Sequence, residues 1–276
     1  YKRQDYISDK MRQKFYASTA PALCGANGRY IEMDYQETLI YGDVMAMGKR
    51  KWEDFALDVA IGGSINDKNV NSTRYDSKNA SLKYANVFNL ANIVMNGSAS
   101  IDQKIDSRRQ LQSVFGTAQV GYQDKVFLDL TARNDWASTL AYTSHEKSGF
   151  FYPSAGLSFL IDKWIQLPEW ISFAKLRGTY SKVGNDIPQF ITNSVSHITA
   201  GGELQANDAA PFKEMEPEMT HSVEVGTEWR FFQSRLGFNL TYYRTNTHNQ
   251  FFKLPALAGD MYAYRYVNAG DIQNRG

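Results

Sequence analysis

The sequence from Val126 to Arg133 reads VFLDLTAR, and this stretch decides the fold. Every second side chain, from Val126 to Ala132, is apolar. The side chains between them are Phe127, Asp129, Thr131 and Arg133. Alternation with a period of two places successive side chains on opposite faces of a β-strand. The stretch therefore predicts a strand with one apolar face and one face that carries charge.

The neighbouring sequence repeats this pattern and indicates hairpins. An alternating run over 114–122 precedes the strand, and residues 123–124 make the short connection between the two. A second pair of alternating runs spans 222–244, with its turn near 233–234. Two such runs joined by so few residues are typical of antiparallel β-hairpins.

Along the whole chain, the pattern predicts an antiparallel all-β architecture. The predicted strands are 29–45, 53–65, 108–122, 125–137, 150–161, 172–183, 220–232, 235–252 and 264–275. Short connections at 46–52, 123–124, 162–171 and 233–234 alternate with long polar ones at 66–107, 138–149, 184–219 and 253–263. Short turns on one side and long loops on the other are typical of outer-membrane β-barrels.

The polar face of the predicted strands carries many charges. They are Asp129, Arg133, Lys175, Arg177, Glu224, Glu228 and Arg230. A small soluble barrel fills its interior with mostly apolar side chains. Charges at alternating positions instead favour a transmembrane barrel with a water-filled lumen and an apolar face toward lipid.

Aromatic residues make up 14% of the chain and cluster near the predicted strand ends. The positions are Trp136, Phe150, Phe151, Tyr152, Trp164, Trp170, Trp229, Phe231, Phe232, Tyr242, Tyr243, Phe251 and Phe252. This placement suits the two aromatic girdles of a membrane barrel, where a ring is half apolar and half wet. The alternative is a soluble β-sandwich whose core these rings cap.

Composition excludes several other classes of protein. The chain has 30 Lys and Arg against 29 Asp and Glu, which argues against nucleic acid as the partner. No apolar run approaches the roughly 18 residues of a transmembrane helix. The single Cys24 permits no internal disulfide. Because nine strands would leave an unpaired edge in lipid, we expect residues 1–276 to be part of one larger barrel domain.

Four long segments carry recognisable motifs in a fixed order. They are SVFGTAQVGY ending at Tyr122, LTARNDWASTL at 130–140, FFYPSAGLSF at 150–159 and LRGTYSKVGND at 176–186. Shorter ones follow at 216–218, 223–226, 242–247 and 267–270. Together they resemble the barrel region of the SusC/RagA family of TonB-linked outer-membrane proteins. The first hundred residues match this family more loosely, mainly through 88–92.

This resemblance implies an outer-membrane transporter from a Bacteroidetes-type bacterium. Such a protein has a barrel of about 22 strands with a plugged lumen. The family imports oligosaccharides or peptides together with a SusD-like surface lipoprotein. Coupling to TonB is expected through a plug and an N-terminal region that precede Tyr1. Two alternatives stay open: a scaffold subunit of a larger envelope complex, and a passive porin.

Candidate ligand contacts lie near the predicted outer mouth. They are Asn134, Asp135, Trp136, Asn185 and Asp186. Because all five belong to the family motifs, hydrogen bonding at strand ends is the competing interpretation of their role.

No enzyme site or cofactor is predicted. The histidines His145, His197, His221 and His248 fall in loops or at strand ends without a nucleophile motif, and Glu214, Glu216 and Glu218 suit solvated loop charges. The stretch from Asp67 to Ser72 begins like a calcium loop, but it lacks the glycine at the sixth position and has Lys78 at the twelfth.

Overall fold

The computed structural model describes residues 1–17, 24–78, 82–95, 99–193, 195–198 and 202–276. The strands in these ranges are β1 (Lys2–Phe15), β2 (Arg29–Lys51), β3 (Phe55–Asp76), β4 (Ser100–Tyr122), β5 (Val126–Ala137), β6 (Phe150–Leu160), β7 (Ile171–Asn185), β8 (His197–Ile198), β9 (Leu204–Gln205), β10 (Glu218–Phe231), β11 (Leu236–His248), β12 (Phe251–Pro255), β13 (Tyr264–Asn268) and β14 (Asp271–Arg275). Three 3₁₀ turns accompany them, at Leu90–Asn92, Ser138–Leu140 and Ile161–Lys163.

Ten of these strands form one antiparallel sheet in the order β1-β2-β3-β4-β5-β6-β7-β10-β11-β14. The short pairs β8–β9 and β12–β13 form two separate sheets. The large sheet is open, with β1 and β14 at its edges, so the all-β antiparallel prediction is confirmed. Closure into about 22 strands and the extent of the domain stay predictions. Within the described ranges, no helix is long and apolar enough to cross a membrane.

The predicted loop over 66–107 is wrong at both ends. Strand β3 continues to Asp76 and β4 already begins at Ser100, and the two strands pair along this extension. Strand β2 likewise runs on to Lys51. The apolar alternation stops inside each strand, but backbone pairing does not depend on it and continues through polar residues.

Three other strand predictions need correction. Strand β1 was missed because its 14 residues are mostly charged or polar. The strand predicted over 235–252 ends at His248, and β12 starts separately at Phe251. The strand predicted over 264–275 is divided into β13 and β14, with Gly270 at a φ of 89° between them.

Strand register sorts the side chains onto two faces. One cross-strand row joins Val59, Ala118, Leu130, Ala155, Tyr180 and Val223. We call the face that carries this row the outer face, and the opposite one, with Asp129 and Arg177, the inner face. Large apolar side chains of the outer face are exposed, including Leu130 at 41% and Leu240 at 66%. An exposed apolar surface of this kind suits contact with lipid.

The short connections lie at one end of the sheet, which we call the turn end. Gln123 and Asp124 both have positive φ, 50° and 53°. Two successive positive φ values fit the tight hairpin turns that match strand twist. The opposite, loop end carries the long connections. The predicted one-sided distribution of loop lengths is therefore confirmed.

Aromatic rings gather at the turn end. Trp170 stacks on Phe231 with 5.6 Å between ring centroids, and Phe159 stacks on Trp164 at 5.3 Å. These rings suit an interfacial girdle. The prediction of a girdle position is wrong for Phe150, which is buried among loop residues on the inner face at the loop end.

Candidate functional site

A hydrophobic cluster of loop and strand residues covers the loop end of the inner face. Its buried members are Ala137, Leu140, Phe150, Ile187, Ile191 and Met215. Leu111, Tyr152, Phe212, Phe251 and Tyr266 pack against them. We call this set the loop cluster. The loops 138–149 and 186–217 are therefore packed against the wall. Burying each large apolar side chain stabilises this packing by about 1.5–3 kcal/mol.

Polar anchors fix the loop cluster to β4 and β5. The carboxylate of Asp186 pairs with Arg109, and it also accepts hydrogen bonds from Thr139 Oγ1 and, at 2.7 Å, from the Ile187 N–H. Charge-assisted bonds of this kind are about twice as strong as neutral ones. Asp186 therefore joins the long loop after β7 to β4, through Arg109, and to the 3₁₀ turn Ser138–Leu140, through Thr139.

Asp135 has a similar role within the wall. It is 8% exposed and accepts a hydrogen bond from Arg133 Nε at 2.6 Å. Arg133 in turn donates to Ser113 Oγ at 2.7 Å. A buried carboxylate needs such partners, because an unpaired buried charge is costly. The three side chains connect β4 and β5 beneath the loop cluster.

The remaining predicted contacts also bind neighbouring segments of the chain. Asn134 Nδ2 donates to the Ser148 carbonyl at 3.1 Å, and Trp136 Nε1 donates to the Lys147 carbonyl at 3.0 Å. Asn185 Nδ2 donates to Glu218 Oε1 at 2.7 Å. All five predicted residues thus make hydrogen bonds at strand ends. Their assignment as ligand contacts stays a prediction.

The connections 186–217 and 249–270 are joined through Asn268. Its Nδ2 donates to the Glu216 carbonyl at 2.8 Å and to the Asn249 carbonyl at 2.7 Å. Asn249 Nδ2 donates to Glu216 Oε2 at 2.7 Å. Glu216 and Glu218, interpreted as solvated loop charges, therefore accept hydrogen bonds that hold loops and strands together.

Two exposed aromatic residues, one in the loop 138–149 and one in the loop 186–217, were not predicted from the sequence. Tyr142 has a φ of 69° and is 66% exposed, and Phe190 has a φ of 66° and is 60% exposed. A left-handed backbone costs a bulky residue about 1–3 kcal/mol, and such strain clusters at binding sites. Buried neighbours, Leu140 and Ile191, hold both positions in place. No sequence pattern predicts the exposure or the positive φ of these two residues.

Several charged side chains of the inner face below the loop cluster have polar or charged partners. Gln119 Nε2 donates to Asp129 at 2.6 Å, Arg177 donates to Thr241 Oγ1 at 2.8 Å, and Arg230 pairs with Glu228 at 2.8 Å. A wall of paired polar groups keeps a lumen hydrated.

The calcium-like stretch proves to be part of a strand. Residues 67–72 lie within β3, and Asp67 is paired with Arg108 and accepts a hydrogen bond from Gln110 Nε2 at 3.1 Å. Where the structure describes the chain, no three His, Cys, Asp or Glu side chains are grouped so as to hold a metal ion.

An antiparallel sheet with an apolar outer face, a polar inner face and long loops at one end is the wall of an outer-membrane β-barrel. The chain belongs to the TonB dependent receptor-like, beta-barrel family, whose family model matches residues 3–276. The resemblance to TonB-linked barrels noted in the sequence is therefore confirmed, and with it the location in the bacterial outer membrane.

Individual proteins agree with this assignment. The TonB-dependent receptor P26 of Formosa agariphila is 27% identical over 177 residues, which cover 60% of this chain and 18% of the relative. This relative supports a Bacteroidetes-type origin. The chain thus spans less than a fifth of that relative's length.

Solved structures share the fold. The RagAB peptide transporter matches with a TM-score of 0.79 at 18% identity, covering 100% of this chain and 31% of that one. The ferric enterobactin receptor of Pseudomonas aeruginosa matches with a TM-score of 0.56 at 13% identity, covering 100% of this chain and 38% of that one.

Proposed function

We propose that this chain is the outer-mouth wall of a TonB-dependent importer that acts together with a SusD-like surface lipoprotein. The observation that carries the proposal is the loop cluster, which packs long loops against the inner face. Loops held by a hydrophobic core and by Asp186 narrow the mouth of a barrel, whereas a passive porin needs an open path. A narrowed mouth fits import that is selective and driven.

The imported ligand is, in this proposal, an oligosaccharide or a peptide. The RagAB structure is described as a peptide transporter, and it shares the fold of this chain. Exposed aromatic rings such as Tyr142 and Phe190 stack on sugar rings and pack against apolar peptide side chains. The exposed Asn185 offers hydrogen bonds to either ligand.

The chain's own residues have separate tasks in this import. Rings on the loops capture the ligand, Asp186 keeps those loops in place, Asp135 holds β5 to β4 beneath them, and the polar inner face passes a hydrated solute. Coupling to TonB falls to a plug and an N-terminal region, which other parts of a full-length protein would supply. The SusD-like lipoprotein closes over the loops once ligand is bound.

Uptake by a deletion strain tests the proposal. We expect loss of growth on at least one member of a panel of defined glycans and peptides, with the same loss when TonB is depleted. Restored growth with the full-length protein, but not with a protein carrying both Tyr142→Ala and Phe190→Ala, would locate capture on the loops. Tyr84→Ala, at a ring that is 71% exposed in another loop, is the matched control.

The alternatives give different outcomes. Uptake that persists without TonB would indicate a passive porin. Unchanged uptake of the whole panel in the deletion strain would contradict import and favour a scaffold in an envelope complex.

A further inference from the structure

A group of basic side chains lies on the outer face at the border of the apolar surface. Along β7, β10 and β11, the last apolar outer residues toward the loop end are Tyr180, Val223 and Tyr242. The next outer residue on each strand, two positions further on, is Lys182, His221 or Arg244. Arg275 of β14 lies directly opposite Arg244. We call Lys182, Arg244 and Arg275 the border cations.

Hydrogen bonds and ring contacts connect the group across the strands. Tyr180 Oη lies 3.0 Å from His221 Nδ1, and the rings of His221 and His248 meet edge to face at 5.7 Å. His248 Nδ1 lies 3.3 Å from the carboxylate of Asp271. These side chains therefore share one surface. Asp271 is the carboxylate nearest to them in register, and its neighbour is His248.

Three other basic residues on the outer face are paired with carboxylates. Arg108 is paired with Asp67, Lys10 with Asp34 at 3.2 Å, and Arg12 with Glu32 at 3.3 Å. Among the residues that the structure describes, Lys182 and Arg244 take part in no ion pair with a carboxylate. Arg244 instead points Nη2 and Nε at the side-chain oxygen of Gln273, at 2.7 and 2.8 Å in the favourable amide orientation.

Arg244 and Arg275 also repel each other. Like charges directly opposite on neighbouring strands destabilise a sheet. An anion between the two guanidinium groups would remove this repulsion, and guanidinium groups bind phosphate through two parallel hydrogen bonds. Strands lie about 4.8 Å apart. Lys182 lies two strands from Arg244 and one outer position nearer the loop end, because it pairs in register with His221 and through it with Asn246. A large headgroup bound at Arg244 can therefore also contact Lys182.

We propose that the border cations bind a phosphate of the glycolipid that forms the outer leaflet of the outer membrane. The position decides between this lipid and a soluble anion: along their own strands, Lys182 and Arg244 each follow directly after the last apolar residue of the lipid-facing surface toward the loop end. The acyl chains of the same molecule would then cover Leu240 and Tyr242, on the side of Arg244 away from the loop end, and Val223, which lies beside Arg244; all three are exposed.

Lipid binding to the purified full-length protein tests the proposal. The probe is hexa-acylated lipid A with two phosphates, titrated in detergent and followed by native mass spectrometry. Each basic residue near an anionic surface strengthens binding about fivefold, so we expect the Lys182→Gln, Arg244→Gln double variant to bind about 30-fold more weakly. The matched control is Lys10→Gln with Arg12→Gln, whose cations are already paired, and it should bind within about twofold of the parent.

A charge reversal separates lipid binding from folding. Arg244→Glu would form an ion pair with Arg275, so the folded, heat-modifiable form should be kept or increased while lipid A binding is lost. Equal binding by Arg244→Glu and the parent would overturn the proposal. Equal binding of lipid A without phosphates would also overturn it. So would displacement of the lipid by inorganic phosphate at a concentration close to the dissociation constant of phosphate itself.

Discussion

Asp76 at the loop end of β3 is a buried carboxylate with two charged partners. It is 1% exposed and binds Arg29 Nε and Nη2 at 2.8 Å each, Arg74 Nη2 at 2.7 Å and the Lys78 N–H at 2.8 Å. Neutralising it with Asp76→Asn removes hydrogen bonds to charged groups, at a cost of about 2 kcal/mol. Local opening should rise about 30-fold, seen as faster tryptic cleavage at Lys78 and Lys83.

The control for this change is an exposed ion pair. Asp34→Asn breaks the pair with Lys10, whose two side chains are largely in solvent, and should change cleavage little. Equal cleavage rates in the two variants would contradict the role given to Asp76.

Asp76 also predicts a pH dependence for this end of the wall, which lies beyond the apolar outer face. Burial raises the pKa of its carboxyl, but the bonds from Arg29 and the Lys78 N–H lower it by more, so the pKa is below the usual range. A lowered carboxyl pKa gives stability that is complete above the ordinary value of about 3.9 and is lost as the pH falls through the folded-state value. Amide protection of residues 74–78, corrected for intrinsic exchange, should therefore hold from pH 7 to about 4 and then fall. Asp76→Asn should show no such fall.

For the candidate site, the positions of single residues could be predicted from the sequence, but their hydrogen-bond partners could not. The motif residues Asn134, Trp136 and Asp186 lie at the loop end, as predicted, because Asn134 and Trp136 are near the end of the alternating strand β5 and Asp186 directly follows β7. Their partners, such as the Lys147 carbonyl, could not be predicted, since they depend on how a loop folds back. The exposure and left-handed backbone of Phe190 likewise follow from loop packing and leave no periodic signal.

At the scale of elements, alternation predicted where strands cross the membrane but not how far they extend. Strand β5 alternates over its length and was placed to within a residue. Strand β3 loses its apolar alternation after Ile65, although it pairs with β4 up to Asp76. The hydrophobic pattern records contact with lipid, which ends at the interface, whereas backbone pairing continues into water. Strand β1 was not predicted for the same reason, because its mostly polar sequence pairs with β2 but shows no apolar alternation.

Close packing between strands gives a prediction for β3. A side chain at Gly62 would lie 2.7 Å from a ring carbon of Phe115 and 2.7 Å from the Val44 carbonyl oxygen. The carbonyl belongs to a paired backbone and cannot move away. Gly62→Val should therefore cost about 1–3 kcal/mol and lower the folded, heat-modifiable fraction of the full-length barrel.

Gly48 supplies the matched control for this substitution. It lies in the adjacent β2, where an added side chain would have no neighbour within 4 Å. Gly48→Val should therefore fold as the parent does. A similar loss in both variants would contradict the role given to the contacts with Phe115 and the Val44 carbonyl.

For the whole molecule, the assignment of outer and inner faces decides which surface meets lipid. Leu130 and Thr131 are adjacent in β5 and face opposite sides; Leu130 joins the apolar row, and Thr131 bonds to Ser154 Oγ at 2.6 Å. Arginine on a lipid face near the midplane costs about 2–4 kcal/mol, whereas a water-filled lumen tolerates it. In urea unfolding from lipid vesicles, Leu130→Arg should therefore destabilise the full-length barrel by that amount, and Thr131→Arg should change it by less than about 1 kcal/mol. The reverse order would exchange the two faces, move the border cations into the lumen and remove the argument for lipid binding with them.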